Sequence, residues 1–298
     1  MRTPTLFLAA LGLWASTWAR AEDARPEVLW YLANFPPSSI HAGALKGHGY
    51  LDRILDQVIW PALPQFRHRL VVAPPSRLVQ DSTTLPNVCT PSVAKTPERL
   101  ATFHVSTPLF RFLPSGLVVR RSDVAGLQPW LTPAGAVDFE RLLADRAHVI
   151  GVVGTRRHGA AIDRALTLYS DRLLVLNTTQ ANTTLLRMLA LQRSVDGALA
   201  YGFEIPVLES QFPELAGQLT WLPVRGQPSS LTNHVACSKS DLGARIVRHL
   251  DEHLRTSAGR QVAQRLFEDW LDPASRQALD RLRREMLPPE TFWLDAMP

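Results

Sequence analysis

The feature that most constrains this chain is an alternation of two kinds of segment. Val28-Leu29-Trp30-Tyr31-Leu32, Val149-Ile150-Gly151-Val152-Val153, Leu173 to Leu176 and Ala198 to Tyr201 are short apolar runs. Continuous hydrophobicity of that length is what a strand buried on both faces shows. Between such runs, Tyr50 to Ile59 carries Leu51, Ile54, Leu55, Val58 and Ile59 at helical spacing and is stopped by Pro61. Asp138 to Ala147, Ala160 to Leu168 and Thr183 to Leu191 also have a helical period. Leu70-Val71-Val72, Phe103 to Phe110, Leu117-Val118-Val119 and Asn233 to Cys237 complete the extended segments. The chain then turns helical over Leu242 to Leu254, Gly259 to Leu271 and Pro273 to Met286. Strands alternating with helices predict an α/β fold, with helices covering parallel sheets on both sides.

Two such sets of segments flank residue 120, and 298 residues suit two lobes better than one core. A hydrophobic content of 46% excludes a disordered or collagen-like chain. The net charge of +5 is dispersed, with no run of five basic residues, so no nucleic-acid partner is expected.

Residues 1–21 have the form of a secretory leader: Arg2, an apolar stretch from Leu6 to Trp14, then Ala19-Arg20-Ala21 as a cleavage site before Glu22. The apolar stretch is far short of the roughly twenty residues needed to span a bilayer. The expected mature chain is therefore an exported soluble protein. Two cysteines, Cys89 and Cys237, are too few for a disulfide scaffold or a Cys-rich zinc site. An oxidising compartment permits their pairing, but the sequence does not show that they meet.

No catalytic or cofactor signature is present. G-x-S-x-G is absent, and Gly154 to Gly159 lacks the Lys-Ser/Thr end of a phosphate loop. His249 and His253 stand four apart without the Glu-x-x of a zinc protease, so no metal is expected. Two segments do carry binding chemistry. The loop Gly154-Thr155-Arg156-Arg157-His158-Gly159 joins a buried strand to a helix, where backbone N–H groups and the helix dipole favour an anion. It is equally readable as a plain Gly-rich connection. Thr96-Pro97-Glu98-Arg99 places a capping residue and an N1 proline ahead of an arginine whose fork of donors matches a carboxylate. Alone, it is only a helix start.

Together these segments resemble the type 2 periplasmic solute-binding proteins, specifically the amino-acid-binding family 3 group. The similarity spans roughly residues 28–285. Thr96-Pro97-Glu98-Arg99, Phe103 and Ser106-Thr107-Pro108 resemble the family's T-x-E-R…F-S-x-P-[YF] signature, the most specific match. Asn34-Phe35-Pro36-Pro37 resembles its first binding loop, and Gly49-Tyr50-Leu51-Asp52 its G-[FY]-x-x-D helix start. Arg193-Ser194-Val195-Asp196-Gly197 resembles its G-R-x-D segment, and His234 to Lys239 the strand that re-enters the first lobe.

The resemblance implies two lobes, each a central sheet flanked by helices, joined by two hinge crossings. Residues 22–117 and 233–298 would form the first lobe and 118–232 the second. It implies a monomeric periplasmic protein that closes on a small carboxylate-bearing solute, an amino acid or related anion, and hands it to an ABC-type membrane permease. The implied ligand set is Arg99 with Thr96, Phe35, Thr155 and Arg156. The acid that would pair a ligand ammonium is missing: its position falls near Tyr201, with Glu204 three residues on. That departure leaves a dicarboxylate or other small anion open. The family arrangement also brings the strands of Cys89 and Cys237 together and implies a disulfide. A sensory protein acting through a separate partner, or a dehydratase-like enzyme on the same fold, are the alternatives.

Overall fold

The computed structural model describes residues 25–154, 156–178 and 180–295, so the leader and Thr155 lie outside it. The first sheet contains β1 (Glu27–Leu32), β2 (Arg67–Val72), β3 (Val88–Val93), β4 (Phe103–Val105) and β5 (Phe110–Phe112). The second contains β6 (Gly116–Arg120), β7 (Ile150–Val153), β8 (Leu173–Leu176), β9 (Gly197–Ala200) and β10 (Leu219–Leu222). The chain then returns through β11 (Leu231–Ser238) to the first sheet. Helices α1 (Tyr50–Ile54), α2 (Pro75–Ser82) and α3 (Pro97–Thr102) follow strands of the first sheet. Helices α4 (Phe139–Ala144), α5 (Ala160–Leu168), α6 (Ala181–Ala190) and α7 (Ile205–Gln211) belong with the second. The tail is α8 (Asp241–Arg255), α9 (Ser257–Glu268) and α10 (Pro273–Glu285).

The order of the first sheet is β2-β1-β3-β11-β4, with β5 continuing alongside β11. The second runs β10-β6-β9-β7-β8. Both sheets are mixed, where the alternation predicts parallel ones. β1 is parallel to β2 and β3, and β7 to β8 and β9. The strands adjoining the crossings run the other way: β11 is antiparallel to β3, β4 and β5, and β6 to β9 and β10. A chain that leaves one lobe and returns must enter the sheet from the opposite end. Strand β3 escapes the sequence reading because it contains Pro91, which cannot donate to a ladder. In the structure Pro91 falls at an irregularity, where the β11 register shifts between the pairs Ala236–Thr90 and His234–Val93.

Trp30, Ile54, Leu55, Ile59, Phe103, Phe110 and Phe267 are fully buried in and around the first sheet. Leu117, Leu142, Leu143, Ile150 and Ile162 fill one face of the second. The tail touches both lobes. Helix α9 packs on α1 and β5, whereas α10 packs on β10 and on the turn Gly202–Glu204. Gly202 permits that approach, since a Cβ there would stand 1.8 Å from Ser275 Oγ. Arg111, buried and with no carboxylate of a described residue on its guanidinium, donates to the carbonyls of Phe292 at 2.8 Å and Leu294 at 2.6 Å, which ties down the final segment. Among the described residues no helix is long and apolar enough to cross a membrane.

Cys89 on β3 faces Cys237 on β11, and the two form a disulfide. The bond spans 148 residues of sequence. Constraining so long a loop in the unfolded chain has a ceiling of about 5 kcal/mol in the chain-entropy treatment. Intact-mass measurement should find the non-reduced protein lighter than the reduced one by two hydrogen atoms. The double substitution Cys89→Ser, Cys237→Ser should lower the urea midpoint without changing the fold. Identical masses would overturn the bond.

Candidate functional site

The two lobes face each other across a cavity of about 880 Å3. It opens at the carboxyl ends of β1, β3, β7 and β9, where α/β sheets ordinarily place their ligands. The first lobe contributes Leu32 at the end of β1 and Phe35 after it, Ser92 to Ala94 at the end of β3, and Thr96 and Arg99 at the start of α3. The second contributes Arg157 after β7, and Tyr201 and Phe203 after β9.

Local capping sets Arg99 in place. Thr96 is the N-cap of α3 and its hydroxyl accepts from the Arg99 backbone N–H at 3.4 Å, while Pro97 occupies N1. Arg99 therefore lies one turn inside the helix, half-buried on the cavity wall. Its guanidinium makes no hydrogen bond or ion pair with any described residue, and the same holds for Arg157 opposite. Two unpaired guanidinium groups thus border one cleft, one on each lobe.

Arg156 is engaged elsewhere. It grips Glu204 through two parallel bonds, Nη1 to Oε2 at 2.9 Å and Nη2 to Oε1 at 2.6 Å. The Tyr201 backbone N–H also donates to Glu204 Oε2 at 2.9 Å. Glu204 is only 2% exposed, so its charge depends on this pairing. The Arg156 guanidinium also sits 5.2 Å from the ring centre of Phe35. Because Phe35 belongs to the first lobe and Arg156 to the second, that contact joins the two lobes. Burial, reinforced by the Glu204 charge, raises the Tyr201 phenol above its ordinary range.

His158, in the same loop, ties the second lobe to both crossings. Its Nδ1 shares a hydrogen bond of 3.0 Å with Ser115 on the first crossing. Its carbonyl accepts from Gln227 on the second, and its backbone N–H donates to Asp163 at 3.0 Å. Gly159, at φ +96°, takes a backbone conformation that residues with a Cβ rarely adopt, and a Cβ there would also press on the Gln227 side chain. Burial, with Arg156 close by and only Asp163 opposing, pushes the His158 imidazole down to about 4. It is neutral at physiological pH.

The structure thus brings Arg99, Thr96, Phe35 and Tyr201 together on the cleft wall and places Arg156 and Glu204 behind it as a pair. Thr155 lies outside the described residues. Arg157 faces the cleft in place of Arg156. It is the next residue in the loop, and only the pairing of Arg156 distinguishes the two. Tyr50, Phe112 and Phe203 also border the cavity, although their sequence neighbourhoods mark them simply as apolar. Among the described residues no cluster of His, Cys, Asp or Glu is arranged to hold a metal ion.

No protein-family model matches this chain, and no curated protein matches it in sequence. Solved structures do share its fold. An ancestral cationic amino acid solute-binding protein superposes with a TM-score of 0.56 at 13% identity, over 84% of this chain and 97% of that one. The GluR0 ligand-binding core in complex with L-glutamate gives 0.54 at 18%, over 84% and 100%. A histidine kinase sensor domain with similarity to periplasmic binding proteins gives 0.52 at 15%, over 84% and 98%. The chain has the two-lobed fold of type 2 periplasmic binding proteins.

Two outcomes check this geometry. Arg156→Ala should leave Glu204 buried and unpaired and cost about 3–5 kcal/mol in urea denaturation. A variant of unchanged stability would mean that the pair does not form. His158 binds a proton in the unfolded chain below about 6.5 but in the folded protein only below about 4. Its burial therefore erodes stability as pH falls between those values, by up to roughly 3 kcal/mol, and has no effect above them. The difference in Tm between the wild type and His158→Asn should shrink through that window; a constant difference would contradict it.

Proposed function

We propose that this chain is a periplasmic solute-binding protein that closes on a small carboxylate-bearing solute. In this reading the leader at 1–21 directs export, residues 22–117 and 233–298 form one lobe, and 118–232 form the other. The observation that carries it is Arg99: a guanidinium with no hydrogen bond or ion pair to a described residue, set by its own N-cap on the wall of a cleft of about 880 Å3. An unpaired cation there matches a carboxylate bidentately, and Arg157 adds positive charge from the facing lobe. The aromatic residues Phe35, Phe112, Tyr201 and Phe203 supply apolar surface for the rest of the solute. Hinged closure would then desolvate the charge and strengthen its hold.

The closed form would be what an ABC-type permease in the membrane recognises, consistent with a described chain that offers no membrane-spanning helix of its own. The acid that a dehydratase-like reaction would use, Glu204, is held by Arg156 and by the Tyr201 N–H, which argues for binding over catalysis.

A thermal-shift screen of dicarboxylates, aromatic acids and amino acids should raise Tm for some carboxylates, since ligands that bind only the folded state stabilise it. For the best of these, Arg99→Ala should weaken binding by at least about a hundredfold, near 3 kcal/mol, in calorimetry. Unchanged affinity would sink the assignment of Arg99.

A further inference from the structure

A second, smaller cavity of about 80 Å3 adjoins the cleft, sharing Tyr50, Ser92, Phe112 and Phe203 with it and reaching inward to Phe110 and Asn233. Four aromatic residues, Tyr50, Phe110, Phe112 and Phe203, form much of its wall, with Ser92, Val93, Ala94 and Thr232 beside them. The Tyr50 ring meets Phe110 edge-on at 5.7 Å and Phe203 edge-on at 6.0 Å. Behind the last of these, Phe203 stacks on Tyr201 at 4.8 Å between ring centres. At its inner end Asn233, on β11, is 5% exposed. Its Nδ2 donates to Ser92 Oγ at 3.3 Å, but its Oδ1 has no hydrogen-bond partner among the described residues. A buried acceptor left unpaired is costly, and native proteins rarely carry one without a reason.

The charges of the cleft are equally one-sided. Arg99 and Arg157 have no ion pair among the described residues, whereas Glu204 is committed to Arg156. Glu98, at the first turn of α3, is held below the usual carboxylate range by its own backbone N–H and by the Thr96 hydroxyl. Glu98 does line the cavity, but it is exposed and already accepts those two hydrogen bonds, and among the described residues no buried acid faces the cleft to receive a ligand ammonium.

We infer that the solute is a hydroxyaryl carboxylate without an α-ammonium, its carboxylate held on the arginine side of the cleft and the hydroxyl-bearing edge of its ring seated in the aromatic side cavity against Asn233. This rests on the reading of the cleft as a carboxylate site and adds the class of solute. The ring gains edge-to-face contact with Tyr50, Phe110 and Phe203. The phenolic O–H donates to Asn233 Oδ1, the group the protein leaves unsatisfied. A site that hydrogen-bonds a ligand hydroxyl discriminates strongly against the analogue lacking it, because its own polar group is then stranded.

The test uses the mature protein and calorimetry with 3-(4-hydroxyphenyl)propionate, 3-phenylpropionate, 3-(4-methoxyphenyl)propionate and L-tyrosine. The hydroxylated acid should bind at least about tenfold more tightly than the phenyl and methoxy compounds and than L-tyrosine. Asn233→Leu should reduce the preference over 3-phenylpropionate to within about twofold, without loss of Tm, since an apolar isostere removes the stranded acceptor. Should 3-phenylpropionate bind as tightly as the hydroxylated acid to the wild type, the role of Asn233 is overturned, with no variant needed. Equal or tighter binding of L-tyrosine overturns the exclusion of an ammonium. If none of the four binds while another carboxylate does so through Arg99, the inference fails and the carboxylate reading stands. If no carboxylate binds at all, both fail.

Discussion

The arrangement of this cleft depends on the pairing of Arg156 with Glu204. A carboxylate that is 2% exposed must be compensated, and the bidentate guanidinium supplies that compensation inside the second lobe. Both charges are thereby withdrawn from the space between the lobes. Among the described residues the cations left on the cavity wall are Arg99 and Arg157, one on each side, with Glu98 beside Arg99 and a largely apolar surface rich in aromatic rings. The same pair anchors Phe35, whose ring lies over Arg156, so the electrostatics of the second lobe also set how the first lobe meets it.

Around that pair the loop after β7 works as a joint. His158 reaches Ser115 on one crossing and Gln227 on the other, and it stays uncharged because burial and Arg156 both oppose protonation. The ion pair, the neutral imidazole and the two crossings are therefore coupled through three consecutive contacts. Helix α10 adds a further connection, since it continues from a helix seated on β5 to one seated on β10. The lobes are held by the cleft, by the crossings and by the tail.

Much of the architecture is legible in the sequence because burial on both faces leaves continuous apolar runs, and β1, β7 and β9 show them, while β8 is equally apolar although it is an edge strand with Val175 exposed. The capping of α3 by Thr96 is equally local and equally visible. Strand β3 is hidden by Pro91, whose tolerance depends on a register shift in a strand about 140 residues away. The site is legible only in part. Arg99 and Phe35 can be placed by their segments. That Arg156 and Glu204 satisfy each other cannot be seen locally, because 48 residues separate them and each looks like a free charge. Asn233 gives no signal at all: its importance lies in an unpaired oxygen, a property of everything packed around it.

The strand β11 lies between β3 and β4, in the middle of the first sheet, yet it is the last strand in the chain. Until residues 231–238 have been delivered, β3 presents an open edge and Cys89 has no sulfur to meet. The strands of the second sheet, by contrast, all lie between residues 116 and 222 in one uninterrupted stretch. Order of emergence during synthesis therefore separates the two halves. The second lobe can complete its sheet from contiguous chain, whereas the first must keep a hydrophobic edge unsealed until the chain is more than three-quarters made. For a polypeptide of this topology, the vulnerable interval is the wait for its final strand.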